Sequence, residues 1–227
     1  MKPHVKLAEA PAPGGGRLTL HAHADTFCIR INGQILMDSS ATASETLLGQ
    51  LAVDRPLAAI NASPCILIGG LGLGFTLRRV LEGVGPGARV VVAELIPEVV
   101  TWNRSHLRTL NGGLLDDPRV EIVDGDVGQL VRTSSPGRFD VVLLDVDNGP
   151  VAMVQDDNRA LYSRSGIGRI AACLKPGGRA AIWSASRDDA FAGRLAECGF
   201  AVEAVPARTW AAARRAAHII YVADKVK

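Results

Sequence analysis

The sequence predicts an α/β chain: a mostly parallel sheet with a reversed last strand, preceded by a small β-hairpin or meander. Three observations carry that expectation. From Pro64 onward, short apolar runs alternate with stretches of helical periodicity. The first run, Cys65-Ile66-Leu67-Ile68, breaks into a turn holding four glycines, Gly69, Gly70, Gly72 and Gly74. The last two strand candidates have no helix between them, so antiparallel pairing is open to them, whereas parallel strands need crossovers.

In chain order, residues 1–16 are rich in Pro, Ala and Gly and are expected to be mobile. Residues 17–21 and 26–31 alternate and read as strands. Asn32-Gly33 is a two-residue hairpin signal, with 34–37 as the returning strand. Residues 42–51 read as a helix with Leu47, Leu48 and Leu51 on one side. Residues 17–60 thus make a meander plus helix, expected either to cover a ligand site or to form a dimer contact. The main domain is 61–227. Its strands are expected at 65–69, 89–94, 119–123, 139–145, 178–183, 200–205 and 217–223, and its helices at 74–83, 97–109, 126–132, 160–174 and 188–198. Val141-Val142-Leu143-Leu144 is apolar throughout, as in a parallel strand covered on both faces. Pro176-Gly177-Gly178 marks a turn, and Gly199 follows a helix end.

The 227 residues suit one α/β domain with a small addition, and 48% apolar content supports a sizeable core. Twenty-five basic against 23 acidic residues leave a formal charge of +2, without the basic face of a nucleic-acid binder. Arg208, Arg214 and Arg215 read as a solvated loop cluster, with an anionic-substrate contact as the alternative. No stretch reaches the roughly 18 apolar residues of a membrane span, and Met1-Lys2-Pro3-His4 lacks a signal-peptide core. Cys28, Cys65, Cys173 and Cys198 are scattered without a CxxC pair, which suits free thiols in a reducing, cytoplasmic setting. The five histidines give no metal-binding spacing, and His21 with His23 supply only two ligands, so no metal site is expected. Trp102 and His106, four apart on a helix, read as packing.

The glycine turn lets backbone approach a ligand, as nucleoside-binding turns do. Its pattern, G-G-x-G-x-G, does not by itself separate a dinucleotide from S-adenosylmethionine (AdoMet). Acids at the next three strand ends favour AdoMet. Glu94 lies where a ribose diol would sit. Asp124-Gly125-Asp126 follows the third strand, where Asp126, or alternatively Asp124, can accept from an adenine amino group. Asp126 also suits a helix N-cap. Asp145 ends the fourth strand at the expected reaction centre, with Asp147 and Asn148 just beyond. Gln155, Asp156 and Asp157 precede the next helix, as a cation contact or a solvated helix start. Tyr162 and Trp183 are candidates to line the pocket or to pack in the core.

As a set, these motifs resemble the spermidine-synthase-like (polyamine aminopropyltransferase-like) branch of the class I AdoMet-dependent methyltransferase superfamily. The residues carrying the resemblance are Ile68-Gly69-Gly70 with Thr76-Leu77-Arg78, and Glu94 with Pro97-Glu98-Val99-Val100. They continue through Asp117-Pro118-Arg119-Val120-Glu121, Gly125-Asp126, the run from Phe139 to Asp145, Leu161-Tyr162-Ser163 and Leu174-Lys175-Pro176-Gly177-Gly178. The resemblance covers 64–205, and more weakly the N-terminal hairpin and Ser44-Glu45. It implies a Rossmann-like sheet, AdoMet or decarboxylated AdoMet as cofactor, and a small-molecule acceptor such as an amine.

The chain departs from that family in three places. The turn Gly70-Leu71-Gly72-Leu73-Gly74 lacks the family's aspartate, which lies near the amine end of the cofactor and should repel an AdoMet carboxylate. Asp145-Val146-Asp147-Asn148-Gly149-Pro150 replaces Asp-x-x-Asp-Pro, with Asn148 in the place of the second acid. Ala43-Ser44-Glu45 stands for Tyr-His-Glu. These departures rank methyl transfer to a small molecule first, with Asp145 or Asp147 orienting or deprotonating the nucleophile and Asn148 as a hydrogen-bonding partner. Aminopropyl transfer from decarboxylated AdoMet to a polyamine is the alternative, and a non-catalytic nucleoside-binding protein a further one.

Overall fold

The structure is a computed structural model, and it describes residues 4–54, 62–146 and 158–226. Its centre is a seven-stranded sheet of β5 (Cys65–Gly69), β6 (Arg89–Glu94), β7 (Val120–Asp124), β8 (Phe139–Leu144), β9 (Leu174–Ser184), β10 (Phe200–Ala207) and β11 (His218–Lys225). The order is β10-β11-β9-β8-β5-β6-β7. The five strands from β9 to β7 run parallel, while β11 is antiparallel to both β9 and β10. The last strand is thus reversed, as the missing crossover helix predicts. Pro206 sits on β10, an edge strand, where one ladder donor can be spared.

Side chains alternate across the parallel strands into two cores. Ile66, Ile68, Val141 and Leu143 enter one, and Leu67, Val91, Val142 and Leu144 enter the other. Each strand therefore reads as a continuous apolar run. The first core is covered by α1 (Ala43–Val53), α2 (Phe75–Gly83) and α3 (Pro97–Arg104). A short α4 (Arg108–Asn111) and a 3-10 turn (Leu114–Asp116) lead into β7. The second core is covered by α5 (Val127–Thr133), α7 (Arg164–Cys173) and α8 (Asp189–Glu197), with the one-turn α6 (Asn158–Leu161) preceding α7.

The N-terminal segment departs from expectation. Residues 4–11 are not a free tail but β1 (His4–Pro11), paired antiparallel with β2 (Arg17–His23). The residues that suggest mobility, Pro11, Pro13 and Gly14 to Gly16, crowd the end of β1 and the following turn, leaving the strand itself able to pair. β3 (Thr26–Ile31) and β4 (Gln34–Asp38) complete a four-stranded antiparallel sheet. Asn32 and Gly33 both take positive φ, 50° and 85°, as a type I′ hairpin requires. Leu18, Leu20, Ile29 and Ile31 are buried in the same core as α1 to α3.

Two expected helices are broken. The helix over 97–109 stops at Arg104, where Ser105 turns its hydroxyl back on the Thr101 carbonyl at 2.7 Å. The one over 160–174 divides at Ser163, which accepts from Gly166 N and caps α7. Gly166 is required there, since a Cβ would meet the Ala160 and Leu161 carbonyl oxygens at 2.3 Å.

Candidate active site

Strand order reverses at β5: β6 and β7 lie to one side, β8 and β9 to the other. Connections leaving β5 and β8 therefore part company, and a crevice opens beyond their carboxyl ends. The glycine turn and Asp145 meet in it. Asp145 N donates to Gly69 O at 2.9 Å, and a Cβ on Gly70 would lie 2.3 Å from the Asp145 carbonyl oxygen. Gly70 also has φ +91°, so both space and backbone conformation demand glycine.

Two adjoining cavities open here. The first is lined by Gly70, Gly72, Glu94, Leu95, Ile96, Gly125, Asp126, Val127 and Asp145, and is covered by Leu18, Ile29, Leu36 and Met37 of the N-terminal sheet. Glu94 is 7% exposed, and its two carboxylate oxygens accept from Leu71 N at 2.8 Å and Ile96 N at 2.9 Å. Burial raises its pKa, while these backbone donors oppose the rise. The Gly72 and Leu95 N–H groups add to them. Asp126 accepts from Gly128 N and Gln129 N as the N-cap of α5 while lining the cavity, so the cap and cavity positions coincide. Asp124 is exposed and absent from the lining.

Gly69 and Gly74, expected beside them, do not line either cavity. A Cβ on Gly69 would strike the Val127 side chain at 2.9 Å. Gly74 begins α2 at φ +88°, close to Leu114 and Asn103. Asn103 of α3 steadies the turn by donating to Gly72 O at 2.8 Å.

The second cavity shares Leu36, Met37, Gly72 and Asp145 with the first. Its remaining walls include Asp38, Ser44, Glu45, Phe75, Thr76, Trp183, Thr209 and His218. Thr76 donates to Asp145 Oδ2 at 2.7 Å, and Ser44 donates to Glu45 Oε2 at 2.7 Å. Burial, and then the neighbouring Asp145 charge, push the Glu45 pKa up to about 7. Burial pushes Asp145 up to about 6 against the pull of the Thr76 hydroxyl. Across the chamber, the Trp183 and His218 rings lie 4.8 Å apart, and burial lowers the His218 pKa. Trp183 Nε1 is buried without a hydrogen-bond partner among the described residues.

Sequence reasoning placed Gly70, Gly72, Glu94, Gly125, Asp126 and Asp145 in the site, and the fold brings all six to one cavity. It did not single out Glu45, Thr76 or His218. Glu45 and Thr76 stood only inside the family motifs, and the available signal was an acid at the start of an otherwise uncharged helix. Tyr162 lies instead in the second core, edge-on to Phe191. Asp147 and Asn148, with Gln155, Asp156 and Asp157, lie outside the described residues. No cluster of three or more metal-ligating side chains occurs among the described residues.

No protein-family model matches the chain. Individual relatives do. Polyamine aminopropyltransferase 2 of Pseudomonas aeruginosa is 34% identical over 167 residues, covering 70% of this chain and 44% of that protein. Putrescine N-methyltransferase 1 of Nicotiana tabacum is 30% identical over 129 residues, covering 57% of this chain and 32% of that protein. The chain thus spans less than half the length of these curated relatives. Among solved structures, spermidine synthase from Thermotoga maritima superposes with a TM-score of 0.70 at 19% identity, over 97% of this chain and 72% of that one. The chain therefore has the spermidine-synthase-like fold of the AdoMet-dependent methyltransferase superfamily. Within that superfamily it is a distant homologue of the polyamine aminopropyltransferases.

Proposed function

We propose that the protein transfers an alkyl group from an AdoMet-type nucleoside to an amine. The observation that carries this reading is the charge of the second cavity. Among its described lining residues the acids are Asp38, Glu45 and Asp145, no Lys or Arg is present, and burial disfavours the charged form of His218. Such walls attract an ammonium and resist an anion.

The first cavity fits the nucleoside. Glu94 would accept from the ribose hydroxyls, and Asp126 would meet the adenine amino group. Apolar Ile96 and Val127 suit the base. A Cβ on Gly125 would find nothing within 4 Å, so the backbone there leaves room. Gly70 and Gly72 let the turn approach, while Gly69 and Gly74 shape it. Bound there, the cofactor supplies a sulfonium whose departing group is a neutral thioether. Asp145, shared by both cavities, sits where it can orient the reacting nitrogen. Holding that nitrogen in line is the main task left to the protein.

Aminopropyl transfer from decarboxylated AdoMet is the better supported form. A chamber with acids and no described cation favours a cofactor tail ending in an ammonium over one that also bears a carboxylate. The aminopropyltransferase relatives point the same way. This reverses the sequence ranking, which rested on the acid missing from the glycine turn, on Asn148 in the place of the second loop acid and on Ala43-Ser44-Glu45 in place of Tyr-His-Glu. Glu45 supplies an acid to the region from α1 instead. Methyl transfer is the second reading, favoured by Leu71 and Leu73 in the turn and by the tobacco relative.

Incubation with each cofactor and a panel of mono- and diamines separates the two. Methylthioadenosine formed only with decarboxylated AdoMet is the expected result. S-adenosylhomocysteine formed from AdoMet would establish methyl transfer, and neither product would remove both readings.

A further inference from the structure

We infer that Thr76 is a positioning residue for Asp145: its hydroxyl fixes one carboxylate oxygen and leaves the other to meet the reacting amine. The inference rests on the functional reading above and adds a residue to it. Thr76 is 3% exposed and lines the second cavity, while Asp145 borders both cavities. The Thr76 hydroxyl donates to Asp145 Oδ2 at 2.7 Å. Asp145 Oδ1 has no hydrogen-bond donor among the described residues. A carboxylate anchored by one oxygen no longer turns freely, so its second oxygen keeps one direction.

Local sequence places that hydroxyl. Thr76 is the second residue of α2, which follows Gly74 at φ +88°. A threonine deep in a helix can turn its hydroxyl onto the carbonyl three or four residues before it. Here those residues, Leu73 and Gly72, precede the helix, and the hydroxyl bonds to the end of β8 instead. The helix α1 packs directly on this point. A Cβ at Gly49 would lie 2.9 Å from the Thr76 carbonyl oxygen, so glycine lets the two helices close. One turn earlier in α1, the Glu45 carbonyl oxygen lies 3.3 Å from the Thr76 hydroxyl. Thr76 therefore stands where α1, α2 and the end of β8 meet.

One hydroxyl with two acceptors in reach serves Asp145 in both charge states. With Asp145 ionised, the Thr76 proton points to Oδ2, and a donated hydrogen bond favours that form. When a proton from the incoming ammonium or from water occupies Oδ2, the carboxyl donates to Thr76 Oγ1 and the Thr76 proton turns to the Glu45 carbonyl. One proton is gained, one hydroxyl rotates and no other bond changes. The proton leaves to water by the reverse movement. Neither state strands a buried polar atom. A valine would fill the same space and do neither. Other titratable side chains around the two chambers are Glu45 of α1, Asp38 of β4, His218 of β11, Glu94 of β6 and Asp126 before α5. No Lys or Arg lines either chamber among the described residues.

The test uses the full chain with Thr76→Val, which removes the hydroxyl, and Thr76→Ser, which keeps it. The Asp145 carboxyl is titrated by NMR of isotope-labelled aspartate, with Asp145→Asn identifying its signal. Turnover, amine KM and methylthioadenosine affinity are measured on the same proteins. Thr76→Val is expected to move the Asp145 titration up by about one pH unit or more. It should lower kcat about 10- to 100-fold and change amine KM and nucleoside affinity by less than about threefold. Thr76→Ser should restore the titration and most of the rate. An Asp145 titration unmoved in Thr76→Val, or Thr76→Ser behaving like Thr76→Val, would overturn the inference. Should Thr76→Val not fold, Thr76→Ala repeats the comparison without the branched side chain. A wild type that turns over no amine would sink the functional reading instead, while the Asp145 titration still judges Thr76.

Discussion

At the scale of single residues, the site depends on close approach and on buried charge. Gly70 faces both constraints, so Gly70→Ala should cost at least about 2 kcal/mol, from left-handed backbone strain and the collision with Asp145. Gly85 has nothing within 4 Å of its would-be Cβ and no unusual φ, so Gly85→Ala should change stability by less than about 0.5 kcal/mol. Urea unfolding compares the two. The acid pair gives a pH signature of known sign. Unfolded, Glu45 and Asp145 ionise near 4.5 and 3.8. Folded, they hold protons until about 7 and 6. Between those values the folded state binds more protons, so their contribution to stability declines as pH rises from about 4 to about 7. Glu45→Gln should flatten that decline, which urea midpoints across the range would reveal.

At the scale of elements, the periodic signals were legible and the side-chain signals were not. Six of the seven strands of the large sheet lie within two residues of where their apolar runs predict; β9 begins four residues early, at Leu174, and runs through Pro176-Gly177-Gly178, which reads as a turn in the sequence. The Asn32-Gly33 hairpin was equally plain, because its chemistry is local. The split helices were missed because Ser105 and Ser163 act through single hydrogen bonds that do not disturb the apolar pattern. Glu45 was missed for a different reason. Its partners, Thr76 and Asp145, lie 31 and 100 positions away and meet it only once α1 docks. That docking depends on Arg179, which is 12% exposed and grips Asp224 with two hydrogen bonds while reaching α1. Arg179→Met should cost about 2 kcal/mol and lower turnover more than nucleoside affinity. Equal losses in both would indicate that α1 is not specially held.

At the scale of the whole molecule, the nucleoside end of the site was readable from strand-end acids, and the acceptor end was not. The first comes from one alternating stretch, Gly70 to Asp145. The second joins α1, β4, β9 and β11 with the glycine turn. No helix among the described residues is long and apolar enough to cross a membrane. Since the first cavity is preformed, a nucleoside should stabilise the entire fold. At about 100 times its Kd, methylthioadenosine should add about 2.7 kcal/mol and raise Tm. Glu94→Ala should remove most of that gain, and thermal unfolding with and without the nucleoside measures it.

The N-terminal sheet reaches the glycine turn with the Met37 side chain. Met37 borders both cavities, and its sulfur is only 3.0 Å from where a Gly72 Cβ would be. A thioether there is soft and apolar. Oxidation to the sulfoxide would set a polar oxygen at the junction of the two chambers. Peroxide exposure would then obstruct the site without touching any acid in it, and reduction of the sulfoxide would reopen it.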